Sequence, residues 1–159
     1  MTTTIRPVRP GDEVELVAMV QELAEFEKAS EECTVTESQM HRALFDEPAT
    51  VQGYLAEVDG QPAAMALWFY NFSTWDGVAG IYLEDLFVRP AFRRHGLARA
   101  LLSQLARLCV DNGYTRLSWA VLDWNTNAIA LYDGVGGRPQ SEWITYRVSG
   151  EDLSALAGS

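Results

Sequence analysis

The most informative segment of this chain reads Arg93-Arg94-His95-Gly96-Leu97-Ala98. It lies between an apolar, strand-like run over residues 81–88 and an amphipathic, helix-like run over residues 97–112. A strand, a turn of small residues and a helix together present unpaired backbone N–H groups at the helix N-terminus, where phosphate binds well. Gly96 permits close approach to the backbone, and the arginines supply planar cations for phosphate oxygens. The stretch therefore predicts a phosphate-binding loop.

Two other phosphate-binding signatures do not match this loop. No Lys-Ser or Lys-Thr pair follows Gly96, as it would in a Walker-type loop. The glycine triplet of a dinucleotide-binding fold is also missing. The loop is therefore expected to bind a phosphate-containing ligand in a way that differs from both of these signatures.

The composition of the chain predicts one globular domain over residues 1–159. Its 159 residues are 48% hydrophobic and include five Trp, enough to bury a sizeable core. A net charge of −10 opposes binding to nucleic acid or to an anionic membrane and favours a cationic ligand, although solubility alone also accounts for it. With no apolar run long enough to span a bilayer and no N-terminal signal, we expect a cytoplasmic protein.

Hydrophobic periodicity and turn signals predict a mixed α/β sheet. Asp12 with Glu15 and Thr36 with Gln39 have the spacing of capping boxes, and Asp59-Gly60 is a strong hairpin signal. A loop is expected over residues 71–79 and an acidic, helix-prone tail at the end. The expected strands are residues 5–8, 51–58, 62–70, 81–88, 117–122 and 143–148, and the expected helices are 12–29, a shorter one from Thr36, 97–112 and 125–133.

Further motifs surround the loop in a characteristic order. Residues 82–90 read Tyr-Leu-Glu-Asp-Leu-Phe-Val-Arg-Pro, residues 122–125 read Leu-Asp-Trp-Asn, and Ala128 and Tyr132 follow. This ordered set resembles the GNAT superfamily of acetyl-CoA-dependent N-acetyltransferases, and most closely its diamine (spermidine/spermine and thialysine) branch. The resemblance covers about residues 5–156. It implies the GNAT fold, a mostly antiparallel central sheet flanked by helices, and a homodimer.

The resemblance also implies where acetyl-CoA, the co-substrate, binds. The loop is expected to hold the pyrophosphate, and the strand before it to offer backbone groups to the pantetheine and the acetyl oxygen. Asn125, Ala128 and Tyr132 complete the coenzyme site, with Asn125 equally explained as a helix cap. The coenzyme-binding residues are Leu86, Phe87, Val88, Arg93, Arg94, His95, Gly96, Leu97, Ala98, Arg99, Asn125, Ala128 and Tyr132.

Acetyl transfer needs a neutral amine and a protonated leaving group. An alkyl amine has a pKa of about 10.4, so a base must take its proton. Glu84 and Asp85 are neighbours on a strand, which predicts that they point to opposite faces. The resemblance implies that Glu84 accepts the proton of the amine, directly or through water. It implies that Asp85 binds nearby backbone or the distal charge of the acceptor. It makes Tyr132 the acid that protonates the thiolate.

The residues that select the acceptor follow from the resemblance and from charge. Phe26, Glu27 and Trp143 are expected to bind it together with Glu84 and Asp85, and Trp143 is equally explained as a core residue. Glu27 lies in an acidic cluster between Glu22 and Glu32. His41 and His95 have no partners at ligand spacing, so we expect no metal.

Together these features predict an enzyme that acetylates a primary amine of a small cationic acceptor by direct attack. A polyamine or diamine is the first choice, and a thialysine- or lysine-like amino acid the second. Acetylation of proteins is a further alternative within the enzymes. Outside them, the chain could be a coenzyme-binding or polyamine-sensing module, against which the presence of both Glu84 and Tyr132 argues.

Overall fold

A computed structural model describes all 159 residues, and its core is a five-stranded sheet in the order β1-β2-β3-β4-β5. The strands are β1 (Thr3–Pro7), β2 (Gln52–Val58), β3 (Gln61–Ser73), β4 (Val78–Val88) and β5 (Leu117–Ser118). The first four pair antiparallel, and β5 pairs parallel with β4. The mixed sheet confirms the predicted fold class, and the β2–β3 hairpin turns at Asp59-Gly60 as expected.

Helices cover both faces of this sheet, since consecutive residues such as Tyr54, Leu55 and Ala56 are all buried. The helices of this part of the chain are α1 (Glu13–Phe26), α2 (Glu37–Phe45) and α3 (Leu97–Asn112). Leu16 and Met19 of α1 join α2 and the inner residues of β2–β4 in one apolar cluster. The α3 helix, which lies outside that cluster, contacts β2, β3 and β4 and buries Leu101 and Leu105 completely.

Helix α1 differs from the prediction at both ends. The Asp12 carboxylate does not cap the helix; it accepts hydrogen bonds from Arg6 Nη1 at 2.7 Å and from the Arg9 backbone at 2.8 Å. The expected capping box with Glu15 is therefore wrong, because the partly buried Arg6 binds the same carboxylate. The helix also stops at Phe26, because Lys28 has a positive φ of 61° that ends the helical turn. The capping box between Thr36 and Gln39 is confirmed.

Three predicted strand limits are wrong for reasons of pairing. The expected loop over residues 71–79 is mostly strand, because β3 and β4 pair as far as Ser73 and Val78 and leave only a four-residue turn. The expected strand over 117–122 keeps only Leu117–Ser118, since β4 offers it no partner beyond Tyr82. Residues 143–148 form no strand and take part in no pairing of the sheet.

The chain divides into two compact units, Met1–Asn125 and Thr126–Ser159. The second unit holds α4 (Thr126–Gly134) and α5 (Gly150–Ala157), joined by a segment in which Trp143 and Tyr146 are exposed. The helix-prone tail is thus confirmed as α5, while the single domain over residues 1–159 stays a prediction. No helix has the length and apolar character needed to cross a membrane.

Candidate active site

The predicted phosphate loop has the backbone that such a loop needs. Arg94 and Gly96 both have positive φ, 66° and 76°, and α3 begins directly after Gly96. The first backbone hydrogen bond of the helix runs from Ala100 to the Gly96 carbonyl at 2.9 Å. The N–H groups of residues 97–99 therefore point out of the helix start, with the positive end of the helix dipole behind them.

The space in front of this loop is open and positively charged. A Cβ atom built on Gly96 would meet nothing within 4 Å, so the glycine is not required by neighbouring side chains of the protein. Its value lies in the positive φ and in the free approach to the backbone. Arg94, His95 and Arg99 are exposed around it, and Leu97 is buried as the anchor of the helix. These features fit a pyrophosphate.

Arg93 is fixed by contacts that reach the end of α1. Its Nε donates to the Val88 carbonyl at 3.1 Å, and its guanidinium lies 5.6 Å from the Phe26 ring and 5.9 Å from the Phe87 ring. The Phe26 ring in turn lies 5.9 Å from that of Trp124. Arg89, which directly follows β4, forms ion pairs with Glu15 and Glu22 of α1.

A one-residue bulge changes the direction of the backbone groups of β4. Trp68 of β3 pairs with Leu83 and Leu67 pairs with Asp85, so Glu84 has no partner opposite. The N–H of Ile81 donates to Arg116 on the β5 side at 3.1 Å, whereas that of Arg89 donates to Ala63 on the β3 side at 2.9 Å. In a regular strand, residues eight apart would face the same side. The bulge therefore reverses which residues, odd- or even-numbered, direct their backbone groups towards β3.

This reversal decides which backbone groups of β4 are available to a ligand. Beyond the bulge, the backbones of Leu86 and Val88 face the edge that β5 leaves after Tyr82, while that of Phe87 faces Met65 on β3. Of the three predicted backbone contributors, Leu86 and Val88 thus keep groups on the open edge. Phe87 can contribute through its buried side chain beneath Arg93.

An acidic cleft of ≈ 450 Å³ lies beside the end of α1. Its walls come from α1, from the segment after it, from the start of α2 and from β4. Three carboxylates face it and no Lys or Arg does. The lining residues are Val20, Leu23, Ala24, Glu27, Ala29, Glu32, Cys33, Thr34, Val35, Gln39 and Asp85. Such a cleft suits a cation with an apolar stem.

The structure distinguishes the two predicted acidic residues of β4. Asp85 is partly buried and lines the cleft, whereas Glu84 is exposed at the bulge and does not line it. Burial, and then the charges of Glu84 and Glu27, raise the pKa of Asp85 to about 6. Burial also raises the pKa of Glu27. Only one of the two neighbouring carboxylates therefore faces this cleft.

The remaining predicted site residues occupy different places. Phe26 lies next to the cleft but packs between Arg93 and Trp124 rather than lining it. In the second unit, Tyr132 is half-buried on α4, its backbone carbonyl accepting a hydrogen bond from Gly137 at 2.9 Å, and Ala128 lies one turn earlier. Trp143 of that unit is 68% exposed. Asn125 directly precedes α4.

Sequence reasoning missed several residues of the cleft. Glu32 was visible only as a member of the acidic cluster, and Gln39 only as a helix cap, which it is: its Oε1 accepts from the Thr36 backbone at 2.9 Å. Lys28 was also missed; its ammonium lies 4.9 Å from the centre of the Trp124 ring. Glu32 and Lys28 belong to no motif, and the capping box of Gln39 gives no sign of a cleft, so only the folded chain shows these positions.

Comparison with known proteins identifies the family. The model of the acetyltransferase (GNAT) family matches residues 16–136. Thialysine N-epsilon-acetyltransferase of Caenorhabditis elegans is 44% identical over 153 residues, covering 94% of each protein. The chain therefore belongs to the GNAT family. It is an N-acetyltransferase that acetylates amines with acetyl-CoA as the donor.

Solved structures agree with this fold. An integron cassette protein from the mobile metagenome of V. cholerae superposes with a TM-score of 0.83 at 24% identity, over 100% of this chain and 99% of that one. Aminoglycoside N-acetyltransferase AAC(6')-Iy in complex with CoA gives a TM-score of 0.72 at 18% identity, over 92% and 95%. At these identities the likeness concerns the fold alone.

Proposed function

We propose that the acidic cleft binds a small amine that carries a second positive charge, and that the enzyme acetylates its primary amino group. The observation behind the proposal is the lining of the cleft, where Glu27, Glu32 and Asp85 meet with no cation to neutralise them. Carboxylates brought together out of bulk water attract a cation strongly. Both positive charges of a dication are attracted by these carboxylates, whereas a monoamine has only one charge to be attracted.

Two acceptor classes suit such a cleft, and the comparisons favour one of them. A lysine-like amino acid with a side-chain amine is supported by the relative that acetylates thialysine, which is 44% identical over nearly the whole chain. A diamine or polyamine carries only positive charge and suits the cleft electrostatically. We place the lysine-like acceptor first and the diamine second.

The donor is proposed to bind at the start of α3. The N–H groups after Gly96 and the side chains of Arg94 and Arg99 would hold the pyrophosphate of acetyl-CoA. His95 and Ala98 line the same loop. The open-edge backbone groups of Leu86 and Val88 would bind the pantetheine and orient the acetyl carbonyl. Arg93 supports this arrangement from beneath through its bond to Val88.

The chemistry is proposed to be direct attack of the amine on the thioester. A carboxylate of β4 takes the proton of the amine, and the neutral nitrogen then attacks the carbonyl carbon. The C–S bond breaks as the C–N bond is completed. Tyr132 is proposed to protonate the departing thiolate, because a phenol keeps its proton until a strong base forms beside it. Asn125 and Ala128 are proposed to complete the coenzyme site, and Trp143 to contact the acceptor. Cytoplasmic location and a homodimer stay predictions.

Three acceptors that share one reactive arm test the acceptor class. Thialysine, bis(2-aminoethyl) sulfide and 2-(ethylthio)ethylamine all present an aminoethyl sulfide, but only the first two carry a second amine. Release of the coenzyme thiol from acetyl-CoA measures the rate with each. We expect kcat/KM for both diamino compounds to exceed that of the monoamine by about tenfold or more, the effect of one additional partly buried ion pair.

The outcomes separate the rival functions. Equal rates for the monoamine and the diamino compounds would refute the dication site, and turnover of lysine peptides alone would favour a protein acetyltransferase. Binding of acetyl-CoA without turnover of any amine would favour a sensor. A higher kcat/KM for bis(2-aminoethyl) sulfide than for thialysine would exchange the first and second acceptor classes.

A further inference from the structure

Two adjacent carboxylates stand where β4 bulges, and the fold gives them different surroundings. Asp85 is paired with Leu67 and faces the acidic cleft. Glu84 is the extra residue of the bulge, has no partner on β3 and is exposed outside the lining of the cleft. A base must come within hydrogen-bond reach of the proton that it removes, directly or through one water. A cation in the cleft meets this condition with Asp85.

We propose that Asp85 is the group that takes the proton from the acceptor amine, and that Glu84 acts on it only through its charge. The proposal rests on the amine-acetylating function proposed above. It reverses the roles expected from the sequence, where Glu84 was the base. The bulge is the physical reason, since it carries Glu84 out of the paired ladder just before the strand turns Asp85 into the cleft.

The groups around Asp85 suit it to this task. Glu84 faces it from its own strand and Glu27 from the end of α1, and both raise its pKa. Across the cleft stand Glu32 and Cys33, with apolar walls from α1 and the segment before α2. Burial and like charge raise the pKa of Asp85 to about 6, so near pH 7.5 it is ionised yet more basic than an ordinary carboxylate.

The proton balance of the step is complete without a further reactant. The ammonium N–H bond breaks and an O–H bond forms on Asp85, leaving the nitrogen lone pair free. That lone pair forms the C–N bond to the acetyl carbon, and the electrons of the C–S bond leave with the thiolate. After the attack the nitrogen still carries two hydrogens, and it loses one of them as the thiolate gains a proton, through Tyr132 in the proposed function. The products are the amide, the coenzyme thiol and one proton, which Asp85 returns to solvent once the amide leaves.

The pH dependence of kcat/KM for the full-length enzyme tests the assignment, with thialysine and bis(2-aminoethyl) sulfide as acceptors. Because the base form is required, activity of the parent should fall as the pH drops through about 6. Asp85→Asn should lower kcat by about 10²-fold or more and lose this acid limb. Glu84→Gln and Glu27→Gln should keep the limb but move it to lower pH, since each removes a negative neighbour. Glu31→Gln, an exposed neighbour outside the cleft, should leave it in place.

Binding of acetyl-CoA and the thermal midpoint of each variant show whether it is folded. A folded Asp85→Asn enzyme that retains the acid limb, or that turns over within about threefold of the parent, would overturn the proposal. So would loss of the limb in Glu84→Gln. If Asp85→Asn does not fold, Asp85→Glu, which keeps a carboxylate and moves it by one methylene, should retain a limb at a changed pH. A parent enzyme that acetylates neither acceptor would instead refute the proposed function.

Discussion

The two charged regions of the molecule are assembled in different ways. The loop proposed to bind the coenzyme takes its charge and its backbone shape from consecutive residues, 93–99, at the start of one helix. The acidic cleft takes its carboxylates from separate segments, with Glu27 after α1, Glu32 in a short helical turn and Asp85 on β4. The first region is a property of local sequence, whereas the second exists only in the folded chain. Their opposite charges match a phosphate-bearing donor and a cationic acceptor.

The largest expected effect comes from a change in neither region. Tyr132→Phe removes one oxygen and almost no volume, so both binding regions should keep their affinities. If the phenol protonates the thiolate, kcat falls by about 10²-fold or more. Initial rates and calorimetric titration with acetyl-CoA measure the two effects separately. Turnover at the parent rate would make Tyr132 a purely structural residue and leave the two charged regions to account for catalysis.

The second largest effect is expected from a change in the loop itself. Gly96 and Gly113, at the two ends of α3, supply a matched pair of positions for this test. Gly96 and Gly113 have nearly the same backbone, φ 76° and ψ 16° against φ 72° and ψ 21°, and neither would find a neighbour within 4 Å of an added Cβ. Valine strains both equally, by about 1–3 kcal/mol. Only Gly96→Val should weaken acetyl-CoA, by about tenfold or more, the loss of one charge-assisted hydrogen bond.

Isothermal titration and thermal unfolding of both glycine variants measure this difference. Equal losses of acetyl-CoA affinity at Gly96 and Gly113 would mean that strain, and not the ligand-facing loop, explains the effect. An unchanged affinity in folded Gly96→Val would remove the loop from the coenzyme site.

The smallest expected effect concerns the cleft. Glu27→Gln should raise KM for a diamino acceptor about two- to fivefold at low salt, the value of a partly exposed ion pair. It should also flatten the rise of KM with ionic strength, because salt screens the charge that the variant has lost. Initial rates across a salt series give both results, with Glu25→Gln on the exposed side of α1 as the control. A parallel change in both variants would show a general effect of net charge and no specific role of Glu27.

The same contrast explains what the sequence could predict. The turn at Gly96, α3 and the Gly113 end of that helix follow from local signals, and the structure confirms these three elements. The end of α1 could not be predicted from local signals, because Lys28, and not a glycine, takes the left-handed conformation there. The roles of Glu84 and Asp85 could not be read from alternation, because nothing in residues 82–88 marks a bulge. Residues 143–148 have strand-like composition, but composition alone does not specify pairing, and they take part in none.

Because β4 contains one extra residue, the direction of its backbone groups depends on the number of residues that precede them. Upstream of Glu84, odd-numbered residues direct their backbone groups towards the β5 side of the strand. Downstream, even-numbered residues direct theirs to that same side, which β5 leaves open after Tyr82. A substitution within residues 81–88 replaces one side chain but leaves the number of residues in the strand unchanged. Deletion of one residue there would restore a regular ladder and exchange the edge-facing and sheet-facing positions all the way to Val88. The number of residues in this strand therefore determines which backbone groups reach the open edge.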